Sequence, residues 1–161
     1  ARVCAVDVDR GARARASEHG ADMALDGALP EPRLVKAVNA WAGGGADVSI
    51  DALGSPQTCR AGILSLGPRG RHVQVGLLPP AAGLADVPME RVISRELDVL
   101  GSHGMAASDY PALLDDVATG RLDLPGLLAP GGPLGLAEAG AALAAMGTSP
   151  SRGIVIVDPS R

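Results

Sequence analysis

The sequence predicts an α/β protein in which helices cover both faces of a parallel sheet. Three observations carry this expectation. Short β-branched runs recur along the 161 residues, among them RVCAVDV, DVSIDAL and RHVQVGL, and stretches of helical periodicity separate them. The first run is apolar on both sides, the pattern of a strand buried on both faces. Turn residues punctuate the boundaries, as at Gly43-Gly44-Gly45 and Gly54-Ser55-Pro56. Strands alternating with helices favour parallel pairing, and each crossover is expected to be right-handed.

Residues 2–8 make the first predicted strand. Ala, Arg and Glu, all good helix formers, fill 10–19, and Gly20 takes the C′ position that ends a helix. A short strand follows at 21–25. Pro30 and Pro32 bracket the start of a helix over 31–42, with Leu34, Val35, Val38 and Trp41 at helical spacing. Residues 47–53 form the next strand, and a helix over 56–66 follows. A turn is predicted at 67–70 and a strand at 71–77. Beyond a Pro/Ala/Gly loop at 79–88 come a short helix at 89–95 and a strand at 97–102. Helices are predicted at 108–119 and 134–146, joined by a Pro/Gly-rich connection at 125–133, and a last strand at 154–157.

Composition excludes several classes of function. Trp41 and Tyr110 are the sole aromatics and Phe is absent, so there is no stacking platform for single-stranded nucleic acid. A net charge of −4 without a basic block leaves no footprint for a duplex. No apolar run approaches the ~18 residues of a membrane span, and no signal peptide is visible; the cytoplasm is the expected location. Cys4 and Cys59 cannot make a disulfide framework, and neither they nor His19 and His72 have metal-ligand spacing. The chain opens on ARVCAVD, with neither an initiator Met nor a lead-in to its first strand. The expectation is a piece of a longer protein.

In open α/β sheets ligands bind beyond the carboxyl ends of the strands, so the informative residues follow each strand. Asp7 ends the first one. Its carboxylate either accepts both hydroxyls of an adenosine ribose, or it joins Asp9 in capping the next helix. On the first reading it repels a 2′-phosphate by about 4 kcal/mol per unit charge at 4 Å and a dielectric of 20, favouring NAD over NADP, a preference that Arg10 weakens slightly. Leu53 and Gly54 either flank a flat adenine or ribose or form a core strand end with its turn. Gly76 either lets a ligand approach the backbone, with Val75 and Leu77 walling a nicotinamide ring, or makes a simple bend. Ser102 and His103 lie in the loop after the fifth strand, where His103 reads as a proton relay, a substrate contact or a satisfied loop histidine. Arg152 either reaches a pyrophosphate as a forked donor or is an ordinary exposed arginine.

Taken in order, AVDVD running into HGAD, ADVSIDALGSPQT, GRHVQVGLLP, RELDVLGSHGM, YPALLDDVATGRLD, PLGLAEAGAAL and SRGIVIVD resemble the cofactor-binding half of the medium-chain, zinc-dependent alcohol dehydrogenases. The resemblance implies a partial Rossmann-type, doubly wound sheet that lacks its first and central strand along with the Gly-rich turn after it. An incomplete NAD-binding domain over 1–103 would then precede a segment over 104–161 whose helices and strand return to a catalytic domain. Asp7 is similar to the acid that holds the adenosine ribose, and Leu53 to an apolar adenosine contact. Val75, Gly76 and Leu77 are similar to the segment touching nicotinamide, Ser102 and His103 to its carboxamide neighbours, and Arg152 to the basic residue near the pyrophosphate.

The implied activity is hydride transfer between NAD and a small alcohol, aldehyde or ketone, in a parent protein expected to be a homo-oligomer. Zinc would act there as a Lewis acid, on ligands supplied upstream of this chain; the chain alone is expected to be inactive. A zinc-free quinone reductase of the same superfamily is the nearest alternative. An adenosylmethionine-dependent methyltransferase, also with an acid at Asp7, and a non-enzymatic domain are further ones.

Overall fold

Every strand pair in the computed structural model, which describes residues 1–78, 86–146 and 153–161, is parallel. The elements of the first unit, Ala1–Gly104, are β1 (Cys4–Asp7), α1 (Arg10–Glu18), β2 (Met23–Asp26), α2 (Glu31–Ala42), β3 (Ala46–Asp51), α3 (Pro56–Leu64), β4 (Leu66–Gln74), α4 (Met89–Ser94) and β5 (Asp98–Gly101). They make two sheets: β1 pairs with β2, and β3, β4 and β5 pair in that order. β1 and β3 do not pair with each other, which is where a sheet without its central strand would divide.

Local sequence explains the helix ends. Asp9 caps α1, its side chain accepting from the Ala12 N–H at 2.6 Å. Pro32 stands in the first turn of α2, where a missing N–H costs nothing. Gly43 ends α2 with φ 77°, a left-handed conformation that a side chain resists. Ser55 and Thr58 cap each other across the first turn of α3.

α3 packs across β3 and β4. Its Cys59 and Ile63 join Leu66 and Leu97 in the core, flanked by Ala46, Leu78, Val87 and Val92. Full burial of a side chain such as Ile63, 0% exposed, is worth about 1.5–3 kcal/mol. Burial also raises the pKa of the Cys59 thiol, and the nearby Asp51 charge adds to the shift, so Cys59 packs as a neutral thiol.

The structure corrects the sequence reading in four places. The first strand is not buried on both faces, for Val6 and Val8 are exposed; among the described residues β1 has one paired edge, and α1 packs on it. The predicted turn at 67–70 lies inside β4, as a bulge: Ala46 and Val48 of β3 face Leu66 and Arg71. The connection at 125–133 contains part of a one-turn helix, α6 (Leu124–Leu127). In place of a last strand at 154–157 there are two single bridges, Leu128 with Ile154 and Leu134 with Val157.

α6 belongs to the second unit, Met105–Arg161, with α5 (Tyr110–Ala118) and α7 (Leu136–Ala145). Arg121 clamps the C-terminal end of α5 through Asp115 and Asp116. Among the described residues no helix is long and apolar enough to cross a membrane.

Candidate functional site

The parallel strands β3, β4 and β5 end side by side, and backbone hydrogen bonds knit their exits together. The Asp51 carbonyl accepts the N–H groups of Val75 at 2.9 Å and Gly76 at 2.8 Å, and the Gln74 carbonyl accepts that of Ser102 at 2.9 Å. Gly76 and Gly54 meet backbone to backbone. A Cβ on Gly76 would lie 2.2 Å from the Gly54 nitrogen, and one on Gly54 would lie 2.2 Å from the Leu77 carbonyl oxygen. No side chain fits at either position.

Beyond these exits opens a cleft of about 320 Å³ lined by Gln74, Val75, Gly76, Leu77, Leu78, Gly101, Ser102 and His103. Five of its lining residues, Val75, Gly76, Leu77, Ser102 and His103, are ones that the sequence singled out. The volume lies at the small end of the range for ligand sites. Val75 and Leu77 are 48% and 80% exposed, so their side chains are free to flank a ring. His103 is exposed and makes no side-chain hydrogen bond among the described residues.

The other expected contacts lie apart from the cleft or outside the described residues. Leu53, 75% exposed, sits at the β3 exit, and its backbone carbon would be 2.5 Å from a Cβ on Gly76. Asp7 ends β1 in the other sheet, exposed, with its Oδ1 accepting from the Asp9 N–H at 2.8 Å. Asp9, and not Asp7, is the residue that caps α1. Arg152 falls outside the described residues.

The strongest electrostatic feature of the edge escaped the sequence reading. Asp51, 5% exposed, accepts four hydrogen bonds: from the N–H groups of Leu53 and Gly54 on Oδ1, and from Thr58 Oγ1 and Gln74 Nε2 on Oδ2. Burial alone would raise its pKa, but the bonds from Gly54, Gln74, Thr58 and Leu53 outweigh it and hold the carboxyl below the usual carboxylate value. The available signal was the polar residues at alternate positions, Ser49 with Asp51 and His72 with Gln74, at the carboxyl ends of the two strands.

Residues 1–119 match a family model described as zinc-binding dehydrogenase. A probable alcohol dehydrogenase of Mycobacterium tuberculosis is 35% identical over 116 residues, which are 71% of this chain and 30% of that protein. This chain therefore spans about a third of that relative's length. The crystal structure of an alcohol dehydrogenase from Aeropyrum pernix superposes with a TM-score of 0.83 at 28% identity, over 99% of this chain and 43% of that one. A crystal structure described as an NAD-dependent alcohol dehydrogenase gives 0.83 at 25%, over 98% and 43%.

Proposed function

Because the chain belongs to the zinc-binding dehydrogenase family, whose model spans residues 1–119, we propose that its cleft holds the nicotinamide end of NAD, and that the whole protein moves hydride between NAD and a small alcohol, aldehyde or ketone. The observation that supports this most is the convergence of Val75, Gly76, Leu77, Ser102 and His103 on one cleft at the ends of parallel strands. NAD, when bound, accepts and returns the hydride, and the protein's share is to position it.

Val75 and Leu77 flank the ring. Ser102 and His103 offer a hydroxyl and an imidazole to polar groups on it. Asp7 presents a carboxylate to the adenosine ribose and repels a 2′-phosphate. Among the described residues no three His, Cys, Asp or Glu side chains are grouped to hold a metal ion such as zinc. In this reading its ligands lie outside the chain.

The test is Asp7→Ser in the full-length product of the reading frame that encodes this chain. Serine can still accept from the Asp9 N–H, so the fold should be spared. Losing one charge-assisted pair costs about 1.5–3 kcal/mol, so NAD affinity is expected to fall roughly tenfold or more while NADP gains relative to it. An NAD-to-NADP ratio of kcat/KM equal to the wild-type ratio would mean that Asp7 does not touch the ribose.

A further inference from the structure

A chain of buried and half-buried polar side chains leads to the cleft, whose wall includes Gln74, and none of the contacts proposed above uses it. Strand register sets Ser49 opposite His72 and Asp51 opposite Gln74, all on the face of β3 and β4 that α3 covers. His72 is 0% exposed and fits because α3 carries Gly62 above it; a Cβ there would lie 2.9 Å from the ring. The Gln74 Nε2 donates to Asp51 Oδ2 at 2.9 Å and to the Gly76 carbonyl at 2.8 Å. Its Oε1 is then left to accept from His72 Nε2 at 3.2 Å. With that proton on Nε2, the His72 Nδ1 accepts from the Ser49 hydroxyl at 2.8 Å. From Ser49 through His72 and Gln74, one donor at each step points toward the Asp51 carboxylate.

A buried polar chain with every member paired fixes one geometry, where apolar contacts would allow several. Gln74 is its junction, because it touches all three strand exits. Its amide holds Asp51 at the end of β3 and the Gly76 carbonyl beyond β4, and its backbone carbonyl accepts from Ser102 beyond β5. We propose that Gln74 is a positioning residue for the cofactor: locked by His72, it keeps the Leu53–Gly54 turn, the Gly76 peptide and the Ser102 loop in the arrangement that fits the nicotinamide ring. This rests on the NAD reading above.

The experiment uses the full-length product and measures NADH binding by calorimetry and by the emission of bound NADH, beside the apo melting temperature. Gln74→Met keeps the volume and removes all three side-chain bonds. NADH affinity is expected to fall at least tenfold. Val38→Ala, on the buried face of α2, also lowers stability but should leave NADH affinity within twofold. His72→Leu keeps the amide and removes its lock, so a threefold loss is expected, and the double variant should bind no more weakly than Gln74→Met alone.

Gln74→Met that binds NADH within twofold of wild type overturns the proposal, as does Val38→Ala weakening binding equally. A double variant weaker than Gln74→Met by the full His72→Leu factor also overturns it. Should Gln74→Met fail to fold, His72→Leu decides: threefold weaker binding supports the proposal and unchanged affinity overturns it. Wild-type protein that binds no nicotinamide dinucleotide overturns the NAD reading itself, and this inference with it.

Discussion

Gly76→Val is expected to destabilise the protein before any cofactor is present. The new Cβ would lie 2.2 Å from the Gly54 nitrogen and 2.5 Å from the Leu53 carbon, and backbone cannot rotate aside as a side chain can. Overpacking costs about 1–3 kcal/mol, and this contact belongs at the upper end. At ~4 °C per kcal/mol for a domain of ~100 residues, the apo melting temperature should fall by roughly 10 °C. Gly76→Ala should show much of the same loss, since its one added atom already meets that backbone. The sequence left Gly76 as a close approach to a ligand or a simple bend; in the structure the Gly54 backbone fills the place of its side chain, while Gly76 still lines the cleft. An unchanged melting temperature for Gly76→Val would contradict this packing.

Asp51→Ala is expected to be costlier still. It removes the acceptor of the Leu53 and Gly54 N–H groups and of one Gln74 amide hydrogen around a carboxylate nearly closed to water, while the Thr58 hydroxyl keeps the Ser55 carbonyl as acceptor. Each unpaired buried group costs about 1–3 kcal/mol, though partial relaxation keeps the sum lower, and a loss of about 3–5 kcal/mol is expected. A fall in the urea midpoint reads it directly. The same carboxylate makes stability depend on pH. Its folded pKa is lowered, so its contribution is complete above the unfolded value, about 3.9, and is lost as pH falls through the folded value. Wild type should therefore lose stability below about pH 4 more steeply than Asp51→Asn, which has no such group to protonate. Identical acid profiles would mean that Asp51 titrates alike in the folded and unfolded chains.

Legibility of the sequence depended on whether a feature was local. The order of strands and helices showed because β-branched runs and helical periodicity are written in neighbouring residues, and turn residues mark their ends. The cleft residues showed because parallel strands bring their carboxyl ends to one edge, so position along each strand was enough. The bulge in β4 did not show, because Gly67-Pro68-Arg69-Gly70 has turn chemistry and only the pairing of the flanking Leu66 and Arg71 with β3 keeps it within the strand. The run at Ile154–Val157 is apolar enough for a strand, yet it meets a partner at single residues, Leu128 and Leu134. The Ser49–His72–Gln74–Asp51 chain was hidden because its pairs are 23 residues apart, a separation that periodicity does not register.

A crystal structure of the full-length product grown with NADH tests the central claim most directly. The nicotinamide ring is expected in van der Waals contact with Val75 and Leu77, its carboxamide beside Ser102 and His103, and the adenosine ribose on Asp7. A dinucleotide bound elsewhere, with the strand-end cleft filled only by solvent, would contradict it.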